Sequence, residues 1–328
     1  MRIYILFCQH KVERRLMRRR QDYKKGLLMK TVRQKGFAKI NLYLDITGVS
    51  GGFHMLDSVV TTVSLYDEVI LTSRRDDKVV LKTQGSLFSV TESFDNNVYK
   101  AAEAFVKKFG TNGADITLHK FVPVSSGMGG SSADIAATLI GMKRLYNLEN
   151  ADLKELADAL GSDSGYLLSG GYARLTGRGE IIEKLDIDKK LYFVVACAKG
   201  GVNTGLCFKK FDELPEPEEV PTADEFIEKL KSGSLEQKDF YNALYLPAAE
   251  INPKVKEIYE AMKDLSPIGC AMTGSGSGVF GIYDSIELCD WAAAKLKKVT
   301  KDVFVCESID PMKPEKRGIF GKNLYSLE

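Results

Sequence analysis

The feature that most constrains this chain is the run PVSSGMGGSSAD at residues 123–134, set between an alternating segment and an apolar, alanine-rich one. Gly127, Gly129 and Gly130 remove Cβ atoms where the backbone has to wrap, and Ser131 and Ser132 bring hydroxyls to the start of the apolar segment. A glycine- and serine-rich stretch leading from a strand into a buried helix offers backbone N–H groups to an anion, and the helix dipole adds about half a positive charge there. The run therefore reads as a cradle for phosphates entered at Pro123, with a flexible turn as the plainer alternative. It matches neither GxxxxGK[ST] nor GxGxxG, so no Walker A loop or dinucleotide fingerprint is implied. A second run, TGSGSG at residues 273–278, carries Gly274 and Gly276 and also adjoins an apolar strand. Alone it reads as a tight turn; paired with the first run, it reads as the far wall of a nucleotide-phosphate site.

The periodicity around these runs is mixed. Ile40, Leu42, Leu44 and Ile46 alternate on one face of a half-buried strand. Further β-rich runs fall at residues 58–63, 68–73 and 78–83, an amphipathic helix at 98–109, a strand at 114–118, a buried helix at 133–146 and a strand at 171–178. An apolar strand at 191–198 is followed by the loop GGVNTG and by a Pro- and Glu-rich connector, 212–236, with one helical stretch at 223–231. Helices at 253–264 and 286–298 enclose the strand VFGIY. Without regular βαβ alternation, this order predicts an α+β chain of two lobes, residues 29–186 and 187–315. The 328 residues, 44% hydrophobic and 27% charged, suffice for two packed cores.

Charge and cysteine usage narrow the function. The 46 basic and 44 acidic residues nearly cancel, which points away from a nucleic-acid partner. Residues 1–28 are the exception, with nine basic side chains against two acidic ones; they read as a tail or an upstream start, and residues 316–328 as a second tail. The six cysteines form no CxxC pair and do not cluster with the three histidines, so neither a disulfide framework nor a cysteine-based metal site is expected. Nothing approaches the roughly 18 consecutive apolar residues of a membrane span. The expectation is a cytoplasmic monomer or homodimer that acts on a small molecule.

Phosphoryl transfer asks a protein mainly to position groups and neutralise charge, so a carboxylate and a lysine beside a phosphate cradle would suffice. Asp163, in LGSDSGYLLSGG, and Lys39, in FAKINLYL, are the candidates. Each also has an ordinary reading, Asp163 as a turn or capping residue and Lys39 as a solvated strand lysine.

Five ordered blocks, AKINLYLDITG with GGFHMLDSVV, GMGGSSADIAA, LGSDSGYLLSGGYARLTGRGE, GVNTGLCF and MTGSGSGVF, resemble the GHMP kinase superfamily over residues 35–283. Within it they resemble the branch that phosphorylates the 2-hydroxyl of a cytidylyl-tagged methylerythritol in isoprenoid-precursor synthesis. The resemblance implies ATP and Mg²⁺ as cofactors, Asp163 as the base that takes the hydroxyl proton, and Lys39 as its partner. It implies ATP phosphates on Pro123, Gly127, Gly129, Gly130, Ser131 and Ser132, with Ser132 near the metal. Asn41, Phe53, His54, Thr204, Phe208, Gly274 and Gly276 fall to the acceptor, with His54 reading the cytosine between the rings of Phe53 and Phe208. The chain departs from the family pattern at Phe53, where a tyrosine is usual, in the spacing of GMGGSSAD, and at Ser164, Gly165 and Tyr166 in place of Val-Pro-Phe. These departures leave open a kinase for another small alcohol of homoserine or mevalonate type, or a catalytically silent nucleotide-binding paralogue.

Overall fold

The computed structural model describes residues 29–85, 87–215 and 219–313, and the expectations for residues 1–28 and 316–328 lie outside them. The alternating segment forms one arm of a long hairpin, β1 (Thr31–Ser50) and β2 (Phe53–Ser73), closed by Gly51 and Gly52. The runs read as separate strands at 58–63 and 68–73 are a single strand. The turn chemistry between them does not turn the chain, because Asp67 is fully buried and spends its carboxylate on the N–H groups of Phe121 and Val122.

The first lobe continues through β3 (Val80–Thr83), α1 (Asn97–Phe109), β4 (Ala114–His119), α2 (Gly130–Leu145), α3 (Lys154–Leu160), α4 (Ser164–Leu167), β5 (Ala173–Gly177) and β6 (Ile181–Lys184). Helix α1 starts at Asn96, whose side chain accepts from the Val98 N–H, and stops at Gly110 in the left-handed conformation. The second lobe holds β7 (Tyr192–Cys197), α5 (Thr204–Phe211), α6 (Ala223–Ser232), α7 (Tyr245–Ile251), α8 (Lys254–Lys263), β8 (Gly269–Met272), β9 (Gly278–Tyr283), α9 (Ile286–Leu296) and β10 (Asp302–Ile309). The chain is thus α+β, as its mixed periodicity predicts.

Strand β2 is the spine that joins these parts. One edge pairs with β1 along its length; the other pairs in turn with β5 through Leu56–Val60, with β10 at Thr62 and Val63, and with β4 through Glu68–Ser73. Because β10 pairs with β7 along most of its length and with β2 at its end, the sheet runs on from one lobe to the other in the order β3-β4-β2-β10-β7-β9-β8. Four apolar clusters follow from this layout, the smallest around Val60, Tyr166, Ala173 and Leu175. Phe105, Leu71, Leu118 and Met142 belong to the first lobe, Val194, Ile258, Val279 and Leu296 to the second. Between them Phe226, Phe240, Phe280 and Phe193 pack edge to face in a chain, with ring centroids 5.4 Å apart for Phe226–Phe240, 6.2 Å for Phe240–Phe280 and 6.0 Å for Phe193–Phe280.

Two boundaries differ from expectation in ways that matter for the site. Helix α2 begins at Gly130 rather than at residue 133, so Gly130, Ser131 and Ser132 form its first turn and the loop proper ends at Gly129. Residues 204–211, where the sequence suggests only the end of the GGVNTG loop and no helix before the connector at 212, form α5, begun by Asn203, whose side chain accepts from the Leu206 N–H. Helices α3 and α4 are too short to show a helical period, and β8 is buried on both faces and does not alternate. Among the described residues no helix is long and apolar enough to cross a membrane. Removing the ring at the junction of the clusters, Phe280→Ala, is expected to cost about 3–5 kcal/mol in urea unfolding, whereas the exposed Phe94→Ala stays within about 0.5 kcal/mol.

Candidate active site

Strand β1 shifts register against β2 between Phe37 and Lys39 and again between Asn41 and Tyr43, so the short piece carrying Lys39 and Asn41 is bracketed by irregularities that re-aim its side chains. Lys39 is 4% exposed, which removes its reading as a solvated lysine. Its Nζ lies 3.3 Å from Asp163 Oδ2 and donates to Asn41 Oδ1. Asp163 stands at the N-cap position of α4 but makes no side-chain capping bond; its carboxylate is turned to Lys39 instead. Asn41 in turn donates through Nδ2 to Ser58 Oγ at 2.8 Å, and its backbone N–H donates to Thr273 Oγ1 at 2.9 Å. The basic and acidic groups of the first lobe are therefore tied to the glycine turn of the second.

The two glycine runs lie back to back. Gly127 has a φ of 73°, and a Cβ there would stand 1.9 Å from the Thr273 carbonyl oxygen, so only glycine allows this approach. Ser277 N–H donates to the Ser125 carbonyl at 3.1 Å and Gly278 N–H to the Ser126 carbonyl at 2.9 Å. Gly129 caps α2 at a φ of 68° with no side-chain bond to the helix, which leaves the N–H groups of the first turn to serve an anion. A Cβ on Gly129 would come within 3.0 Å of Lys39 Cγ and 3.5 Å of Asp163 Oδ2, so the loop passes directly over the lysine–carboxylate pair.

Farther along the cleft, His54 Nε2 lies 2.6 Å from Asp212 Oδ1, and its ring stacks on Phe208 at 4.7 Å. Phe53 is exposed and is covered by the Arg178 guanidinium, 4.5 Å above its ring. Thr204 Oγ1 and Ser275 Oγ are 2.8 Å apart, which joins the start of α5 to the second glycine turn. One cleft of about 920 Å³ takes in every candidate residue of the sequence, including Pro123, Gly130, Ser131, Ser132, Gly274 and Gly276, together with Arg178 and Ser275. A second hollow of about 660 Å³, lined by Asp45, Tyr241 and Tyr245 among others, contains none of those candidates but takes in Asp212, the partner of His54.

The structure also brings forward residues that sequence reasoning passed over. Lys120 sits between two buried carboxylates: its Nζ donates to Asp67 Oδ2 and, at 2.8 Å, to Asp134 Oδ2. Burial pushes the Asp134 carboxyl up to about 8, with Lys120 pulling against it. Arg178, Asp212 and Thr273 are the others. The placement of Lys120 and Asp134 on either side of the glycine run was a usable signal, but Asp67 lies more than fifty residues upstream and only β2 brings it there.

As to metals, no group of three or more His, Cys, Asp or Glu suited to one occurs among the described residues. Mg²⁺ needs fewer protein ligands when it arrives with phosphates, and it prefers oxygen. The hydroxyls of Ser132 and Ser164 converge beside Gly161, where a Cβ would lie 3.1 Å and 2.6 Å from them, and Ser164 Oγ is buried without a hydrogen-bond partner. Of the two, Ser132 lines the cleft, and its hydroxyl is an oxygen donor that fits a phosphate-borne Mg²⁺.

The chain matches two family profiles, "GHMP kinases N terminal domain" over residues 96–173 and "GHMP kinases C terminal" over residues 224–290. It is 32% identical over 286 residues to the 4-diphosphocytidyl-2-C-methyl-D-erythritol kinase of Alkaliphilus metalliredigens, covering 85% of this chain and 97% of the relative. The enzyme of the same name from Lachnospira eligens is 32% identical over 292 residues, covering 86% and 100%. Among solved structures, a 4-(cytidine 5'-diphospho)-2C-methyl-D-erythritol kinase superposes with a TM-score of 0.72 at 26% identity, covering 84% of this chain and 98% of that one. Homoserine kinase from Cytophaga hutchinsonii, at 18% identity and a TM-score of 0.62, shares the fold.

The close approach of the two glycine runs yields a stability prediction. Gly127→Ala is expected to lower unfolding free energy by about 2 kcal/mol or more, through strain at positive φ and collision with a backbone carbonyl. Gly85→Ala, whose Cβ would meet only the His119 side chain at 3.2 Å, controls for the φ effect alone in the same urea titration.

Proposed function

The chain belongs to the GHMP kinases, among the 4-diphosphocytidyl-2-C-methyl-D-erythritol kinases, and from that membership and its cleft we infer that it moves the γ-phosphoryl group of ATP to the 2-hydroxyl of 4-diphosphocytidyl-2-C-methyl-D-erythritol. The observation that carries the reading is the contact of Lys39 with Asp163 directly beneath the glycine loop, in the same cleft as His54.

In this reading Asp163 accepts the proton of the acceptor hydroxyl as its oxygen bonds to the γ-phosphorus and the bond from that phosphorus to the departing ADP oxygen breaks. Lys39 keeps the carboxylate aimed at the hydroxyl and offsets negative charge on the transferred group, and Asn41 holds the lysine in turn. The phosphates of ATP lie on the N–H groups of Gly127–Ser132 and the first turn of α2, entered past Pro123. Ser132 would hold Mg²⁺, which would supply neutralisation of the phosphate charge.

The acceptor end is read in the same terms. His54 and the ring of Phe208 offer a polar edge and a stacking face for a pyrimidine, and Phe53 offers a second face. His54 itself lies on Phe208, so the base displaces one ring or takes the free side of the stack. Thr204, Gly274 and Gly276 border the space between base and reacting hydroxyl.

A coupled ADP-release assay with the cytidylyl substrate tests the chemistry. Asp163→Ala is expected to lower kcat by about 10²–10⁴, and Lys39→Met to do likewise. A wild-type protein that releases no ADP, or an Asp163→Ala variant with unchanged kcat, would remove the reading. For the acceptor, His54→Ala is expected to raise KM for the cytidylyl substrate about tenfold with KM for ATP nearly unchanged. Equal rises in both would show that His54 does not read the base.

A further inference from the structure

The reaction as read above leaves unused the most deeply buried charges next to the cleft. The side chains of Lys120, Asp67 and Asp134 are 4%, 0% and 8% exposed. Burying three ionisable groups costs several kcal/mol for each before pairing, so a cluster of this kind is weak evidence for stability as such. Its connections indicate another use. Asp67 is on β2, and its Oδ1 accepts the N–H groups of Phe121 at 2.6 Å and Val122 at 2.8 Å, which fixes the segment that enters the glycine loop. Lys120 reaches from that same segment to Asp134, in the second turn of α2. The Lys120 carbonyl also accepts the Leu87 N–H at 2.8 Å, so the stretch bordering the cleft at residues 87–97 hangs from the same residue.

The cluster lies immediately under the start of the helix. A Cβ on Gly130 would stand 3.3 Å from Lys120 Nζ and 3.0 Å from Val122 Cγ1. Helix α2 has no side-chain cap to fix the direction of its first turn, and the loop before it consists largely of residues with little conformational preference. Something outside the loop has to set the angle at which the free N–H groups of Gly130, Ser131 and Ser132 meet a phosphate. The ammonium of Lys120, held from both sides, is the group in contact with both the entering segment and the helix.

We propose that Asp134, acting through Lys120 and Asp67, is a positioning residue for the nucleotide, holding the first turn of α2 in register with the glycine loop so that its N–H groups converge on the phosphates of ATP. The proposal rests on the kinase reading and extends it to residues that touch neither the base nor the transferred group.

Asp134→Ala leaves Lys120 paired with Asp67, one charge against one, so the variant is expected to fold. Its KM for ATP is expected to rise about tenfold or more, with kcat down less than about threefold and KM for the cytidylyl substrate within about twofold, because a displaced anion cradle weakens ATP without moving Asp163. Asp134→Asn, which keeps an oxygen for Lys120 to donate to, is expected to recover most of the ATP affinity. Asp67→Asn supplies an independent arm and is expected to show the same ATP-selective loss. The rise in melting temperature caused by ATP in wild type and variants gives a readout free of turnover, and in Asp134→Ala it should shrink while the rise caused by the acceptor persists. An Asp134→Ala protein with wild-type KM and melting shift for ATP would overturn the proposal, as would equal losses toward both substrates. Absence of ADP release by wild type, with its ATP-induced melting shift intact, would count against the kinase reading while the melting comparison still decides the positioning role.

Discussion

The contact on which the cleft depends is between two backbones, Gly127 against Thr273, where no side chain could be fitted. It joins glycine runs almost 150 residues apart and is held by main-chain hydrogen bonds from Ser277 and Gly278 to Ser125 and Ser126. Backbone groups are short and stiff, so their spacing is set far more narrowly than a contact between flexible side chains would allow. Thr273 then passes the constraint on, because its hydroxyl receives the Asn41 N–H and thereby ties strand β1 to the second lobe. The position of Lys39 follows from this, and that of Asp163 from Lys39.

Behind that contact, the long strand β2 carries the load between lobes. Its outer edge is shared among β5, β10 and β4, and β10 brings the sheet of the second lobe up against it. A continuous sheet resists shear better than two lobes joined by a connector would, which suits a site whose parts come from both. The buried carboxylate of Asp67 lies on the same strand, so β2 both joins the lobes and anchors the entry to the glycine loop.

Much of the site was legible because its groups travel in short, chemically distinctive runs. The glycine and serine runs announce backbone that must pass close to something, and the ordered blocks place Asp163, Lys39 and His54 within a known pattern. The helices α1, α6 and α9 were readable from their period, and their observed limits lie within two residues of those expected. Less legible were α5, whose eight residues follow a glycine-rich loop, and β2, where Asp67 imitates a turn. Asp212 and Arg178 gave no local signal, since each acquires its meaning from a ring brought to it by another element.

The amino-acid order by itself determined the class of fold and the two glycine runs, because each depends on local composition or on a short motif, and through its family resemblance it nominated an acid, a lysine and a histidine. Only the tertiary structure decided that Lys39 is buried against Asp163 rather than solvated, that Asp163 forgoes capping a helix, and that the two glycine runs face each other. It alone assembled Asp67, Lys120 and Asp134 from a strand, a loop entry and a helix. The physical reason is that burial and charge pairing belong to the arrangement of several segments in space, and a single segment carries no record of what will be packed against it.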